Sequence, residues 1–392
     1  MAEQLRFRQA RRPLLALAAA LLLGGCEIVP DPAAPQSRAE PPRPIPRVET
    51  PSPQPTPAPA LPVLPRAQEV HRVAVLVPLS GPNAGVGQSI ANAADLALAD
   101  SGDTRIRLTI YDTARGAGAA ASQALAEGSR LFLGPLLAED VRAVAAAARR
   151  SDVPVVTFSN DVSVAGNGVY LLGFVPSQSI ERVVRHARGT GVQRFAALVP
   201  SGTYGQRASQ ALIGSVEAAG GRMVAMQTFE RTPAGVRAAA VRLNAQSPYD
   251  AVLIADNARL AAAAAPALRS GTRILGTELW GSETNLSAQR ALHGAWFAAA
   301  PEAMFDQLGA RYRARFGRAP YRLASLGYDA VLMTVRIAAD WPIGAPFPAT
   351  ALRAGSFTGI DGSFRFGRDG VAERSLEVRQ VGPGGVTAVS RP

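Results

Sequence analysis

The only thiol in this 392-residue chain is Cys26, which follows Gly24-Gly25 and an apolar run from Leu14 to Leu23. Arg6, Arg8, Arg11 and Arg12 precede that run. A cationic head, a short apolar stretch and small residues before a cut are the three parts of an export signal. The run is short for a bilayer span, which takes about 20 apolar residues. Other chemistry-bearing side chains are dispersed. His71, His186 and His293 lie far apart, and no His/Cys/Asp grouping has metal-ligand spacing. No Gly-x-Ser-x-Gly nucleophile elbow occurs. The chain has no lysine, every basic residue being Arg, which excludes a Walker-type phosphate loop and a lysine base or Schiff base. Gly85-x-Gly87 mimics a dinucleotide fingerprint, but Ile90 stands where its third glycine belongs. Neither an enzymatic activity nor a metal or cofactor is expected.

Gly24-Gly25-Cys26 resembles the lipobox of bacterial lipoproteins. The resemblance implies that Cys26 becomes the lipidated first residue of the mature chain and its membrane anchor. Glu27 follows it, not the Asp that commonly retains lipoproteins in the inner membrane, so sorting to the outer membrane is expected. The alternative is an ordinary signal peptide with an incidental cysteine.

From Glu27 to about Gln68 the composition changes. Pro44-Ile45-Pro46 and the alternating prolines from Pro51 to Pro59 are typical of the stretch. Proline lacks a backbone donor and fixes its own φ, so neither helix nor sheet is expected there. Extended polyproline rises ~3.1 Å per residue, and some forty residues reach on the order of 100 Å. A stiff spacer between membrane and folded part is the first reading; a ligand for a proline-binding module is the other. The formal net charge is +11. Its arginines are scattered among acids rather than bunched with aromatics, which describes a solvated surface with affinity for anionic envelope material. No nucleic-acid partner is expected.

The elements that position any site begin after the tether. Val73 to Val77 is a continuous apolar run of the kind that forms a parallel strand covered on both faces. A helix from about Gln88 to Leu98 follows, then strand Ile106 to Tyr111, a small-residue helix ending near Gly128, strand Leu131 to Leu133, helix Asp140 to Arg150 and strand Val153 to Thr157. A second series starts near Pro176: helix Ile180 to Arg188, strand Phe195 to Val199, helix Gly205 to Ala219 and strand Met223 to Thr228. Helix Gly235 to Asn244, strand Ala251 to Ile254, an alanine-rich helix from Leu260 to Leu268 and strand Arg273 to Leu275 continue it. Apolar Gly294 to Phe297, helices Phe305 to Phe316 and Leu323 to Ala338, and a C-terminal β region from Phe357 to Val381 close the chain. This alternation implies an α/β fold of doubly wound, mostly parallel sheets with flanking helices. Two series of similar size imply two lobes facing each other across a cleft; the alternative is one large sheet. The expected organisation is a signal at 1–25, lipidated Cys26 and tether over 26–68, and a folded part over 69–392. Within it, lobe 1 comprises about 69–174 plus 318–350, lobe 2 about 175–317, and the C-terminal β region 351–392.

The opening strand and its loop, Pro78-Leu79-Ser80-Gly81-Pro82, resemble the type I periplasmic binding proteins of the Leu/Ile/Val-binding class. Tyr111-Asp112-Thr113, Leu133-Gly134-Pro135-Leu136-Leu137, Ser201-Gly202-Thr203-Tyr204-Gly205 and Gly327-Tyr328-Asp329-Ala330 extend the resemblance from Val70 to the C-terminus. Within that class, Tyr111-Asp112-Thr113, Gly134-Pro135-Leu136-Leu137 and Thr358-Gly359-Ile360-Asp361-Gly362 look most like the penicillin-binding protein activators of the LpoA type. That resemblance implies a two-lobed type I periplasmic binding protein fold in an outer-membrane lipoprotein facing the periplasm. It also implies a class A penicillin-binding protein, a bifunctional peptidoglycan synthase, as the partner. Activators of that type carry a helical-repeat domain ahead of the binding fold, where this sequence has the proline tether.

Amino-acid binders of the class hold the ligand carboxylate with hydroxyls and backbone amides beside the third and fourth strands. A tyrosine and an acid of the other lobe meet the ammonium end. Here Pro135-Leu136-Leu137-Ala138 offers no hydroxyl, which counts against small amino-acid capture. The candidate cleft contacts are Ser80, Ser159, Asn160, Tyr204 and Asp256; each serves equally well as a turn or cap residue. The cleft is expected to hold a peptidoglycan fragment or an amino acid, or to be vestigial. The competing function is a solute-binding lipoprotein of an amino-acid ABC transporter of the branched-chain type; a hydrolase is the third class.

Overall fold

The computed structural model describes residues 69–283 and 285–392. The export signal, Cys26 and the tether lie outside the described residues. Strand β1 (His71–Val77) forms where the sequence runs apolar without alternation, and Val73 to Val77 are wholly buried. That pattern marks a strand covered on both faces. It pairs in parallel with β2 (Ile106–Asp112) on one side and β3 (Leu131–Leu133) on the other. With β4 (Val155–Thr157) and β5 (Val169–Leu171) they make a parallel sheet in the order β2-β1-β3-β4-β5. β5 is only three residues long, too short for periodicity to announce, and sequence reasoning passed over it.

Helices α1 (Ala84–Ser101), α2 (Ala117–Ala126) and α3 (Ala138–Arg149) connect these strands. α1 ends at Gly102, whose φ of 64° is the left-handed conformation that glycine adopts without strain. The Gly85-x-Gly87 pair serves packing. A Cβ on Gly87 would lie 1.8 Å from the Pro78 carbonyl oxygen, so only glycine lets α1 approach the end of β1 this closely.

The second lobe repeats the scheme. α4 (Pro176–Gly189), β6 (Arg194–Pro200), α5 (Thr203–Ala218), β7 (Arg222–Phe229), α6 (Pro233–Asn244), β8 (Ala251–Ile254), α7 (Ala258–Ala264), β9 (Arg273–Gly276) and β10 (Trp296–Ala299) follow in sequence. Gly205 on α5 takes the place of Gly87: its Cβ would sit 1.7 Å from the Pro200 carbonyl oxygen.

α8 (Ala303–Phe316) and α9 (Ala324–Ala338) return the chain to the first lobe, where Leu308 and Tyr312 join the core against α1. Asn92 donates to the Tyr312 hydroxyl at 3.0 Å. α8 therefore belongs to lobe 1, and the second lobe's run ends after β10 rather than at 317. The C-terminal β region is divided as well. β11 (Phe357–Gly359), β12 (Gly362–Phe366) and β13 (Ala372–Arg374) form a small antiparallel sheet whose Phe357, Phe364 and Phe366 enter the lobe 1 core. β14 (Glu377–Gly382) and β15 (Gly385–Ser390) add an antiparallel hairpin to the second sheet, giving β15-β14-β10-β9-β8-β6-β7. Two separate parallel-core sheets replace the single-sheet alternative. The chain crosses between lobes at 172–175, 300–302 and 375–376. No helix of the described residues is long and apolar enough to cross a membrane.

Candidate ligand cleft

A cavity of about 380 Å³ opens between the two lobes, within the size range of small-molecule sites. Parallel strands end at this rim in both lobes, and their following turns supply the walls. Leu136 and Leu137 stand between β3 and α3, and Phe158 and Asn160 follow β4. Glu278 and Leu279 follow β9 on the opposite side. The hinge wall carries Phe174, Arg322 and Arg374.

Of the five sequence candidates, Asn160 alone lines the cavity. Ser80 donates to the Asp112 carboxylate at 2.8 Å, and the same group accepts the Leu79 amide at 2.8 Å, so Ser80 closes the first loop. The Ser159 hydroxyl is buried and accepts the Asp161 amide at 3.1 Å. Thr157 beside it donates to the Pro135 carbonyl at 2.7 Å. Asp256 is wholly buried and takes both arms of the Arg231 guanidinium at 2.8 Å. That fork is the strong, planar form of the carboxylate pair. Tyr204 lies one shell behind the wall, its hydroxyl donating to Glu278 Oε1 at 3.0 Å.

Glu278 is the cleft acid that sequence reasoning missed. Ser179 donates to its Oε2 at 2.7 Å, and the Glu278 amide donates back to the Ser179 hydroxyl at 3.2 Å. Burial raises its carboxyl above the ordinary range, and the two hydroxyl donors oppose that rise. Its one signal was its position directly after the Gly276-Thr277 strand end.

The second missed group is ionic. Asp329 and Asp361 are buried in lobe 1, and Arg322 Nη2 lies 2.6 Å from Asp361 Oδ1. The Asp329 carboxylate accepts the Ile360 amide at 2.6 Å. Burial first, and the Asp361 charge second, push Asp329 up to about 7. A Cβ on Gly359 would meet that carboxylate at 2.3 Å, which explains the glycine. Two motifs, Gly327-Tyr328-Asp329 and Gly359-Ile360-Asp361, thus form one unit.

The histidines pack elsewhere. His71 stacks on Trp341 at 3.7 Å, His186 meets Trp296 edge-on at 4.7 Å, and His293 Nε2 lies 2.8 Å from the Ser287 carbonyl. Among the described residues no group of three or more His, Cys, Asp or Glu side chains is placed to hold a metal ion.

Comparison with known proteins agrees with this architecture. A family model described as "Periplasmic binding protein" matches residues 71–386. An uncharacterized protein of Rickettsia prowazekii (strain Madrid E), RP748, is 28% identical over 149 residues, which cover 38% of this chain and 40% of that protein. The match thus spans well under half of that relative. A putative branched-chain amino acid ABC transporter structure from Rhodospirillum rubrum superposes with a TM-score of 0.71 at 18% identity, over 82% of this chain and 100% of that one. Full-length LpoA from Haemophilus influenzae superposes with a TM-score of 0.63 at 20% identity, over 82% of this chain and 59% of that one. At such identities the two structures establish a shared fold.

Proposed function

The chain belongs to the periplasmic binding protein family, and from that premise we propose that it is a non-catalytic envelope lipoprotein that docks on a class A penicillin-binding protein and favours its active state. Cys26 would hold it in the outer membrane and the proline tether would extend the two-lobed body toward the cell-wall layer. The observation that carries this reading is the first-lobe wall of the cleft. Where β3 and β4 end, that wall is lined by Leu136, Leu137, Phe158 and Asn160, with no hydroxyl among them. A wall of that kind has no side-chain hydroxyl free for an amino-acid carboxylate. The fold shared with LpoA and the motifs from Tyr111 to Gly362 support the choice of partner. An effector of this kind works by binding the active conformation of its target more tightly than the inactive one.

A second reading has its own support. The cavity is of ligand size, has apolar walls and carries a withdrawn acid, Glu278, and the Rhodospirillum rubrum neighbour bears a transporter description. Capture of an amino acid for an ABC transporter would use that space. One experiment separates the two. The full chain is incubated with envelope extract, recovered with what it binds, and added to a purified class A synthase. Retention of the synthase and faster glycan polymerisation are the expected results. Recovery of a permease complex without a synthase, together with saturable binding of free leucine or isoleucine, would overturn the docking reading.

A further inference from the structure

We infer that the ion pair between Asp161 and Arg207 is a latch between the lobes, holding them in the arrangement this structure shows and setting how often they part. A two-lobed protein opens when a few residues between the lobes change φ and ψ and the bodies rotate. The ratio of its forms depends on contacts that one form has and the other lacks. Asp161 belongs to lobe 1, in the turn that follows β4, next to Asn160 of the cavity wall. Arg207 belongs to lobe 2, near the start of α5. Arg207 Nη2 lies 2.6 Å from Asp161 Oδ2. Of the ion pairs among the described residues, it alone joins the body of one lobe to the body of the other.

Ion pairs at a surface contribute little, because two long side chains must be ordered to make them. Here the acidic end is ordered beforehand. Asp161 Oδ1 accepts the Ser163 amide at 2.9 Å and the Ser163 hydroxyl at 2.7 Å. The Asp161 amide donates to Ser159 Oγ at 3.1 Å. These bonds lie wholly within lobe 1 and leave Oδ2 for the guanidinium. The pair is also partly withdrawn from water, the Asp161 side chain being 10% exposed and that of Arg207 31%. The basic end is carried by α5, whose approach to β6 is fixed at Gly205. The latch therefore joins two parts that each lobe positions by itself.

Position separates this pair from the other tie between the lobes. Gln178 on α4 donates to the Ala372 carbonyl at 2.7 Å and accepts the Arg374 amide at 3.1 Å. Gln178 stands just beyond the first crossover and Arg374 just before the third, so a rotation about the crossovers displaces these groups little. Asp161 and Arg207 lie outside the crossover segments, and the same rotation carries them apart. An opened form keeps the Ser163 bonds of Asp161 and loses the guanidinium, which water then solvates. So modest a difference between the forms is readily outweighed by a ligand or partner that binds one of them more tightly. The latch holds whether a synthase or a solute meets the cleft, and does not rest on the docking reading.

The test reads the distance between the lobes. Spin labels are placed at Ala114→Cys, after β2, and Ala234→Cys, in the first turn of α6 after β7. Both positions are exposed and follow the carboxyl ends of strands, where the lobes face each other. The full chain carries Cys26→Ser, so that only these two thiols are labelled. A predominant short distance is expected in the parent chain. Arg207→Gln should raise the ratio of long to short distances about two- to fivefold, the range that such an ion pair supplies. Arg207→Glu should raise it further, because like charges then face each other. Arg207→Lys keeps the charge and should stay close to the parent. Asp161→Asn keeps an acceptor for Ser163 and should match Arg207→Gln, with no further change when the two are combined. If Asp161→Asn does not fold, the Arg207 series decides alone. A predominant long distance in the parent chain, an unmoved distribution in a folded Arg207→Glu, or additive effects in the double variant would each overturn the inference. Synthase and solute binding are scored separately, so a failure of the docking reading leaves this measurement intact.

Discussion

Asp329 accepts the backbone amide of Asp361 at 3.4 Å, which sets two wholly buried carboxylates side by side beneath the hinge. Water cannot screen them, and the low local dielectric makes their repulsion costly. The consequence is a pH dependence opposite to that of most carboxylates. Asp329 is raised from 3.8 to about 7 in the folded chain, so the native state holds its proton more tightly than the unfolded state does. Between pH ~4 and ~7 the native form binds more protons, and the contribution of this group to stability falls as pH rises. Below pH ~4 both states are protonated and no further change occurs. Thermal unfolding followed from pH 4 to 8 should show a declining midpoint for the parent chain. Asp329→Asn keeps a carbonyl for the Ile360 amide but does not titrate, and should flatten that decline. A parallel decline in both proteins would remove Asp329 as its cause.

Arg374 should be far more important to stability than the exposed arginines. Its Nε and Nη1 are shut from solvent, and burial lowers its guanidinium while Asp361 and Asp329 oppose the shift. Removing one partner from a buried charge group leaves the others uncompensated, and Arg374→Met is expected to cost about 3–5 kcal/mol in denaturant unfolding. Arg185 pairs with Glu181 on the exposed face of α4. Arg185→Ala should cost no more than about 0.5 kcal/mol. Similar losses in the two variants would show that the hinge cluster is no more than a surface pair.

The alternation of elements was legible because apolar runs such as Val73 to Val77 and Ala251 to Ile254 are short and bounded by polar or turn residues, the pattern of parallel strands covered on both faces. The lobe boundaries were not. Nothing local to α8 says which sheet its Leu308 and Tyr312 will meet, since the amphipathic pattern specifies a buried face and not its neighbour. β11 to β15 read as one β region, because strand periodicity is blind to the crossover at Ser375 and Leu376. The site was legible in composition but not in assembly. Ser80, Ser159 and Asp256 stand out in the sequence by polar type at strand ends, and the structure engages all three internally. Glu278 became visible only once burial and its partners Ser179 and Tyr204 were known.

The two glycines in the first turn of α1 should respond very differently to one added methyl group. At Gly87 the new Cβ would meet backbone, 1.8 Å from the Pro78 carbonyl oxygen, and neither α1 nor β1 can yield. Gly87→Ala is expected to destabilise the chain by more than about 3 kcal/mol or to abolish folding. At Gly85 the nearest atom is the Tyr321 hydroxyl at 3.0 Å, on an exposed side chain that can swing away. Gly85→Ala should shift the unfolding midpoint by no more than a few degrees. Equal tolerance of both substitutions would show that the helix does not depend on the close approach at Gly87.

In the proposed function Cys26 is the residue that fixes where the protein resides. Each buried methylene of an acyl chain contributes about 0.8 kcal/mol to membrane attachment, and a single chain of ordinary length holds a protein only reversibly. Stable anchoring through this residue therefore requires more than one chain on or beside its sulfur. Intact mass of the native protein should exceed that of the chain from Cys26 to Pro392 by the mass of at least two acyl groups. Cys26→Ser keeps the cationic and apolar parts of the export signal, so export should continue while attachment is lost. Fractionation of the cell envelope should then recover the variant in the soluble extract and the parent chain with the outer membrane. An unmodified thiol in the native protein, or an unchanged distribution of the variant, would remove the anchor from the proposed function and leave the two-lobed body without a fixed station.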